Sequence, residues 1–378
     1  MRAQERLHGL DALRGFAALA VVVFHWQLWG VDPQRVAPPG GFGFPRALAE
    51  GFLAFFYRCG DSAVGLFFTL SGFVFYWLYR DAIQARSVDA RRFAVDRFSR
   101  LYPLYFATLL WTWAGHNLFA WMRHGPGWDS GANDLVGFAR QALVFPLWTP
   151  TRVFAFNLPS WSLAVEALLY LVFFILARRA LLGIAATLAM LVAGHLASFY
   201  SADISYGLSS FFMGGLAFLA FERITSARTE RALAMVVGAS WLFAIVFGSG
   251  LVPLAITPLA LLDKVYAIYV LFPVTVLYLA VLEARKGPIA SRLAWLGDSS
   301  YAIYLLHYPL MLTTSIVLFA VGGNFQALKS PLWLGVFVAV LLVLGIACHR
   351  GFERPAQRWL RRRLAGRGPE VGGARSAS

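Results

Sequence analysis

Residues 10–26 read LDALRGFAALAVVVFHW, an apolar run broken by only three ionisable side chains, Asp11, Arg14 and His25. Extended to 12–30 and wound as a helix, the run reaches ~28 Å, enough to cross the hydrocarbon core of a bilayer. Arg2 and Arg6 precede it, as basic residues precede a signal peptide. No small-residue cleavage site follows and the charges interrupt the apolar core, so a retained membrane helix is expected. Eleven residues separate Arg14 from His25. On a helix that spacing is close to three turns and ~16 Å, so both side chains point to nearly one face. Ionisable groups are costly at this depth and are functional candidates by default. The pair reads as an anion contact at one end and a general base at the other. The plain alternative is a snorkelling arginine and a packing histidine.

Working outward, nine further apolar stretches of similar length follow, near 62–79, 101–121, 160–177, 180–198, 205–221, 232–250, 264–282, 299–320 and 331–349. The chain is 59% hydrophobic and only 14% charged, where a soluble chain carries about a quarter charged residues. The expected fold is all-α, a polytopic membrane bundle of ten helices, its core lined by the first, second, third, fourth and ninth. With both termini inside, 25 of the 33 Lys and Arg fall on cytoplasmic segments, which selects the N-in, C-in orientation over its inverse. The net charge of +14 is then mostly a cytoplasmic rim facing anionic lipid headgroups, and nucleic-acid binding is not expected. The run Arg361–Arg363 reads as a membrane stop signal. One integral-membrane domain is expected over 1–363, followed by a disordered basic cytoplasmic tail, 364–378. Cys59 and Cys348 fall on opposite sides of the membrane, so neither a disulfide nor a cysteine metal site is expected, and no metal is called for. A secondary transporter would also bury His, Glu and Arg, but the chain lacks the repeated halves that such folds display.

Several short motifs recur in a definite order. After Arg14-x10-His25 come SAVGLFFTLSGF (62–73), RFSRLYPLY (97–105), NLPSWSLAVE (157–166), GDSSYAIYLLH (297–307) and Glu353-Arg354-Pro355. Together they resemble acyltransferase family three, membrane-bound enzymes that include bacterial O-antigen and exopolysaccharide O-acetyltransferases, over about 7–357. Many relatives carry an acidic residue where Gly65 stands, a departure that removes one polar partner.

The resemblance implies a multi-pass protein of the bacterial inner membrane. It implies an acyltransferase, transferring groups other than aminoacyl groups, that moves an acyl group, acetyl first, from cytoplasmic acyl-CoA to a carbohydrate hydroxyl. The acceptor can be lipid-linked, and a small-molecule or lipid acceptor is the alternative within the family. Arg14, Arg97 and Arg100 are expected to hold the phosphates of the acyl-CoA donor. His25 is expected as the base, with Glu166 beside it holding the imidazole or binding sugar hydroxyls. An acyl-histidine route is equally open. Trp161, Ser162, Tyr304 and His307 are expected at the substrate, with His307 near mid-depth or below as a second polar contact rather than the base; a packing histidine bonded to Tyr301 or Ser300 is its alternative. Trp148 and Trp161 have the rings to stack on a sugar.

Overall fold

The computed structural model describes residues 6–27, 53–122, 135–143, 156–224, 226–248, 264–323, 328 and 330–364. Trp148 and the tail 365–378 lie outside them. No strand occurs among the described residues.

The chain runs through α1 (His8–Trp26), short α2 (Ala54–Cys59), α3 (Ala63–Gln84), α4 (Ala90–Met122), α5 (Leu135–Ala142) and α6 (Trp161–Arg178). It continues with α7 (Ile184–Leu196), α8 (Ala202–Phe221), α9 (Ala227–Gly248), α10 (Phe272–Lys286), α11 (Ala294–Ala320), α12 (Pro331–Cys348) and α13 (Arg354–Leu364). Each expected apolar stretch contains a helix. Among the described residues, eight helical segments are long and apolar enough to cross a membrane. The other two are α4, where tryptophans, His116 and Asn117 dilute the apolar run, and α7, whose 13 residues make ~20 Å. Pro103 and Pro309 sit inside unbroken helices. Pro309 has no N–H to give the Leu305 carbonyl four residues back, and the Asn157 amide donates to it instead at 3.2 Å. That bond ties the entry of α6 to the middle of α11.

The tightest pairings are α3 with α8 and α1 with α11. Both depend on glycine. A Cβ on Gly297 would stand 2.2 Å from the carbonyl oxygen of Asp11, so α11 lies directly against the backbone of α1. By contrast α9 and α12 expose large apolar side chains such as Met235, Leu242, Leu332 and Val343, as lipid-facing helices do.

The start of α1 is fixed from a distance. Leu7 offers no side-chain cap, and the buried carboxylate of Glu283 on α10 accepts from the N–H groups of His8 (2.8 Å) and Gly9 (2.9 Å), and from Ile289 (3.3 Å). Helix N-termini favour such an anion. Glu283→Ala is expected to cost about 2 kcal/mol, and Glu283→Gln, which keeps an acceptor oxygen, less than half of that. Unfolding in detergent followed by tryptophan fluorescence checks the order of the two variants.

Candidate active site

One cavity of about 680 Å³ runs through the bundle, within the range of small-molecule sites. Its walls come from α1, α3, α4, α6 and α11, the same five apolar stretches expected to line the core, with Arg361 of α13 added. Along α3 it extends from Val64 to Tyr79, ~22 Å of helix.

One end is basic. Arg6, Arg14, Arg97, Arg100 and Arg361 all line it. Their states differ. Arg14 is bound to Asp11 (2.6 Å), to the Gly297 carbonyl (3.2 and 3.3 Å) and to Ser300 (3.2 Å), so it also fastens α1 to α11. Arg6 bridges Asp11 and Asp298 at the rim. Arg97 lies over the rings of Tyr79, Phe75 and Tyr170 at 4.9, 5.3 and 5.8 Å and donates to the Tyr79 hydroxyl, while its Nε is buried without a hydrogen-bond partner. Arg100 makes no hydrogen bond or ion pair with any described residue, so its planar set of donors is available to an anion. Arg361 pairs with Asp96 at 3.0 Å.

Midway, Glu166 accepts from Tyr170 and from Ser71 (3.4 Å) and faces the cavity, close enough to Arg97 and Arg100 to feel both charges. The structure does not pair it with His25.

The far end is walled by Phe67, Ser162 and Tyr304. The Tyr304 hydroxyl meets Ser162 Oγ at 2.8 Å and donates to the Pro159 carbonyl at 3.0 Å. Trp161 does not line the cavity; its ring meets Phe68 edge-on. One turn beyond Tyr304, His307 Nδ1 lies 2.6 Å from the Tyr304 carbonyl oxygen, and its Nε2 lies 2.8 Å from His25 Nδ1. The two imidazoles are within 11° of parallel with centroids 5.0 Å apart. That separation matches the hydrogen bond plus a ring radius on each side, so the rings meet edge to edge along an N···N line.

Two expectations change here. His307 stands at the level of His25 and touches it, not at mid-depth or below, and its partners are His25 and the Tyr304 carbonyl rather than Tyr301 or Ser300. The difference arises where the helix starts: polar Gly297–Ser300 are already helical, and His307 stands 13 positions after Ala294, the first residue of α11, ~20 Å along its axis. The sequence reading of Arg361 as a stop signal at the end of the last helix also differs from the structure. The helix instead passes through a π turn at His349–Glu353 and resumes as α13, which packs on the start of α4 and brings Arg361 to the cavity. A periodic Arg354/Arg358/Arg361 pattern was the available signal. Among the described residues no group of three or more His, Cys, Asp or Glu side chains gathers as metal ligands do.

A family model described as an acyltransferase domain matches residues 7–350. Acyltransferase MdmB of Streptomyces mycarofaciens is 34% identical over 174 residues, 44% of this chain and 38% of that protein. Protein 2 in picA locus of Rhizobium radiobacter is 36% identical over 106 residues, 28% of this chain and 43% of that protein. Exopolysaccharide production protein ExoZ of Rhizobium meliloti strain 1021 is 27% identical over 355 residues, 83% of this chain and 96% of that protein. The chain therefore spans about two fifths of the first two relatives and nearly all of the third. No solved structure matches.

Proposed function

The chain belongs to acyltransferase family three, and from that premise we propose that it moves an acyl group, acetyl by preference, from cytoplasmic acyl-CoA to a hydroxyl of an envelope or secreted carbohydrate. The observation that carries this reading is a cavity that is basic at one end, aromatic along its length, and bordered at the other by Tyr304, one turn before the His307 that meets His25. The excess of Lys and Arg orients the basic end toward the cytoplasm, where acyl-CoA is made. The same reading has the protein in the bacterial inner membrane with both termini inside.

Arg100, with its donors unengaged, is the principal phosphate contact; Arg97, Arg14 and Arg361 surround it. The pantetheine arm extends along the aromatic wall of α3, and Glu166 meets its polar groups. This assigns Glu166 to the donor arm instead of to His25. The thioester then arrives near Tyr304, and Ser162 and Tyr304 border the reacting end. His25 accepts the proton of the acceptor hydroxyl while its oxygen attacks the thioester carbonyl. The new C–O bond forms, the C–S bond breaks, and the departing thiolate takes the proton back from the imidazolium. An exopolysaccharide-type acceptor is favoured because ExoZ is the relative matched over nearly its whole length.

Calorimetric binding of acetyl-CoA to protein in nanodiscs tests the donor site. Wild type is expected to bind; Arg100→Ala weakens binding about tenfold or more and Arg361→Ala about threefold, as loss of charge-assisted contacts of unequal quality predicts. Failure of wild type to bind any acyl-CoA, short or long, would return the chain to the transporter reading.

A further inference from the structure

The contacts around His307 decide which nitrogen of His25 is basic. A peptide carbonyl has lone pairs and no proton to give. The 2.6 Å contact between His307 Nδ1 and the Tyr304 carbonyl therefore places a proton on His307 Nδ1. A neutral imidazole carries only one N–H, so His307 Nε2 is bare and acts only as an acceptor. His25 Nδ1 lies 2.8 Å from that bare nitrogen and must be the donor. His25 Nε2 is then left with its lone pair.

We propose that His307 is a positioning residue that holds His25 in the Nδ1–H tautomer, so that His25 Nε2 is the nitrogen that takes the proton. Three further features support this. His307 is fully buried with both ring nitrogens engaged, so it is not itself a base for an incoming hydroxyl, whereas His25 is only partly buried. The near-coplanar rings set the N–H···N bond in the plane of both imidazoles, which restrains rotation of His25 about its own ring axis. When Nε2 takes a proton, Nδ1–H keeps the same bond to His307, so neither ring has to flip during turnover. A carboxylate commonly performs this orienting task; here a neutral imidazole anchored on a backbone carbonyl does so. Tyr304 links the two regions, since its carbonyl anchors the pair and its phenol lines the cavity.

The tautomer is independent of the reaction; its effect on turnover rests on the acyltransferase reading above. The test is nitrogen NMR of 15N-histidine-labelled protein in nanodiscs at a pH where both rings are neutral, with His25→Gln and His307→Gln giving the assignments. His25 is expected to show a protonated Nδ1 and a bare Nε2, with scalar coupling from His25 Nδ1 to His307 Nε2. A proton on His25 Nε2, or no coupling across the pair, overturns the proposal. In turnover assays His307→Gln, whose amide oxygen replaces the acceptor, should stay within about fivefold of wild type. His307→Leu should lose about 100-fold in kcat with KM for acyl-CoA nearly unchanged. Equal kcat in His307→Leu and wild type also overturns it. The expected spectrum without turnover of any acyl-CoA by wild type would remove the acyltransferase reading and leave the tautomer standing.

Discussion

Replacing His25 with alanine is expected to lower acyl transfer about 1,000-fold while acyl-CoA affinity stays within about threefold. The separation of effects follows from the geometry. The arginines that meet the donor's phosphates stand at one end of the cavity, and His25 stands against His307 beyond its other end. Removing the imidazole takes away the proton acceptor and leaves the phosphate contacts untouched. It also strands the buried His307 Nε2, which costs about 1–3 kcal/mol of stability. His25→Gln is the control for that loss, because its amide N–H can still donate to His307 while offering no basic nitrogen. Both variants should therefore be inactive, with His25→Gln the more stable of the two. The measurement is release of CoA from acetyl-CoA by protein in nanodiscs, alongside calorimetric donor affinity and melting temperature. More than a tenth of wild-type turnover in His25→Gln would remove His25 as the base. Parallel loss of donor affinity in both variants would end the picture of separate binding and chemical ends.

The first helix disclosed its part in the sequence because Arg14 and His25 are the costly groups in an otherwise apolar run, and helical spacing alone aligns them. The five helices around the cavity were legible for a similar reason: each bears polar or aromatic motif residues within an apolar background. Partners across helices were not legible. Glu166 was expected beside His25 because both fall in the outer half of their spans, but depth does not specify which neighbours face each other. Glu166 turns toward Ser71 and Tyr170, and the histidine that meets His25 arrives from α11, 282 positions later. Arg361 is not legible as a cavity residue because in sequence α12 and α13 form one membrane helix with a basic end. The π turn that realigns them leaves no clear mark in composition. Gly65 has a local explanation: its N–H donates to the Tyr206 hydroxyl at 2.9 Å, and an added Cβ would lie 2.6 Å from that oxygen. Any side chain there competes with Tyr206, which itself donates to the Ser62 carbonyl.

Adding one methyl group to Gly72 or Gly214 is expected to destabilise the protein by about 3 kcal/mol, the upper part of the range for overpacking. A Cβ on Gly72 would stand 1.8 Å from the carbonyl oxygen of Phe211, and one on Gly214 would stand 2.0 Å from that of Thr69. The obstacle in both cases is helix backbone, which cannot rotate aside as a side chain can, so α3 and α8 must separate along their contact. Few alternative contacts replace what is lost, because membrane helices associate mainly through close packing. The consequence reaches the cavity. Ser71, next to Gly72, bonds Glu166, and Phe67, Phe68 and Phe75 of α3 form the aromatic wall, so displaced α3 widens the donor path. Gly238→Ala in α9 is the matched control: nothing lies within 4 Å of its added Cβ, and the substitution should be neutral or stabilise by up to about 1 kcal/mol. The double variant Gly72→Ala/Gly214→Ala should cost clearly less than the sum of the two, since helices already forced apart by one methyl accommodate the other. Thermal unfolding in a fixed detergent, with the four variants side by side, reads all of this. If Gly72→Ala and Gly238→Ala melt together, the glycine contact is not what joins α3 to α8. Strict additivity in the double variant would mean that the two glycines act at separate contacts.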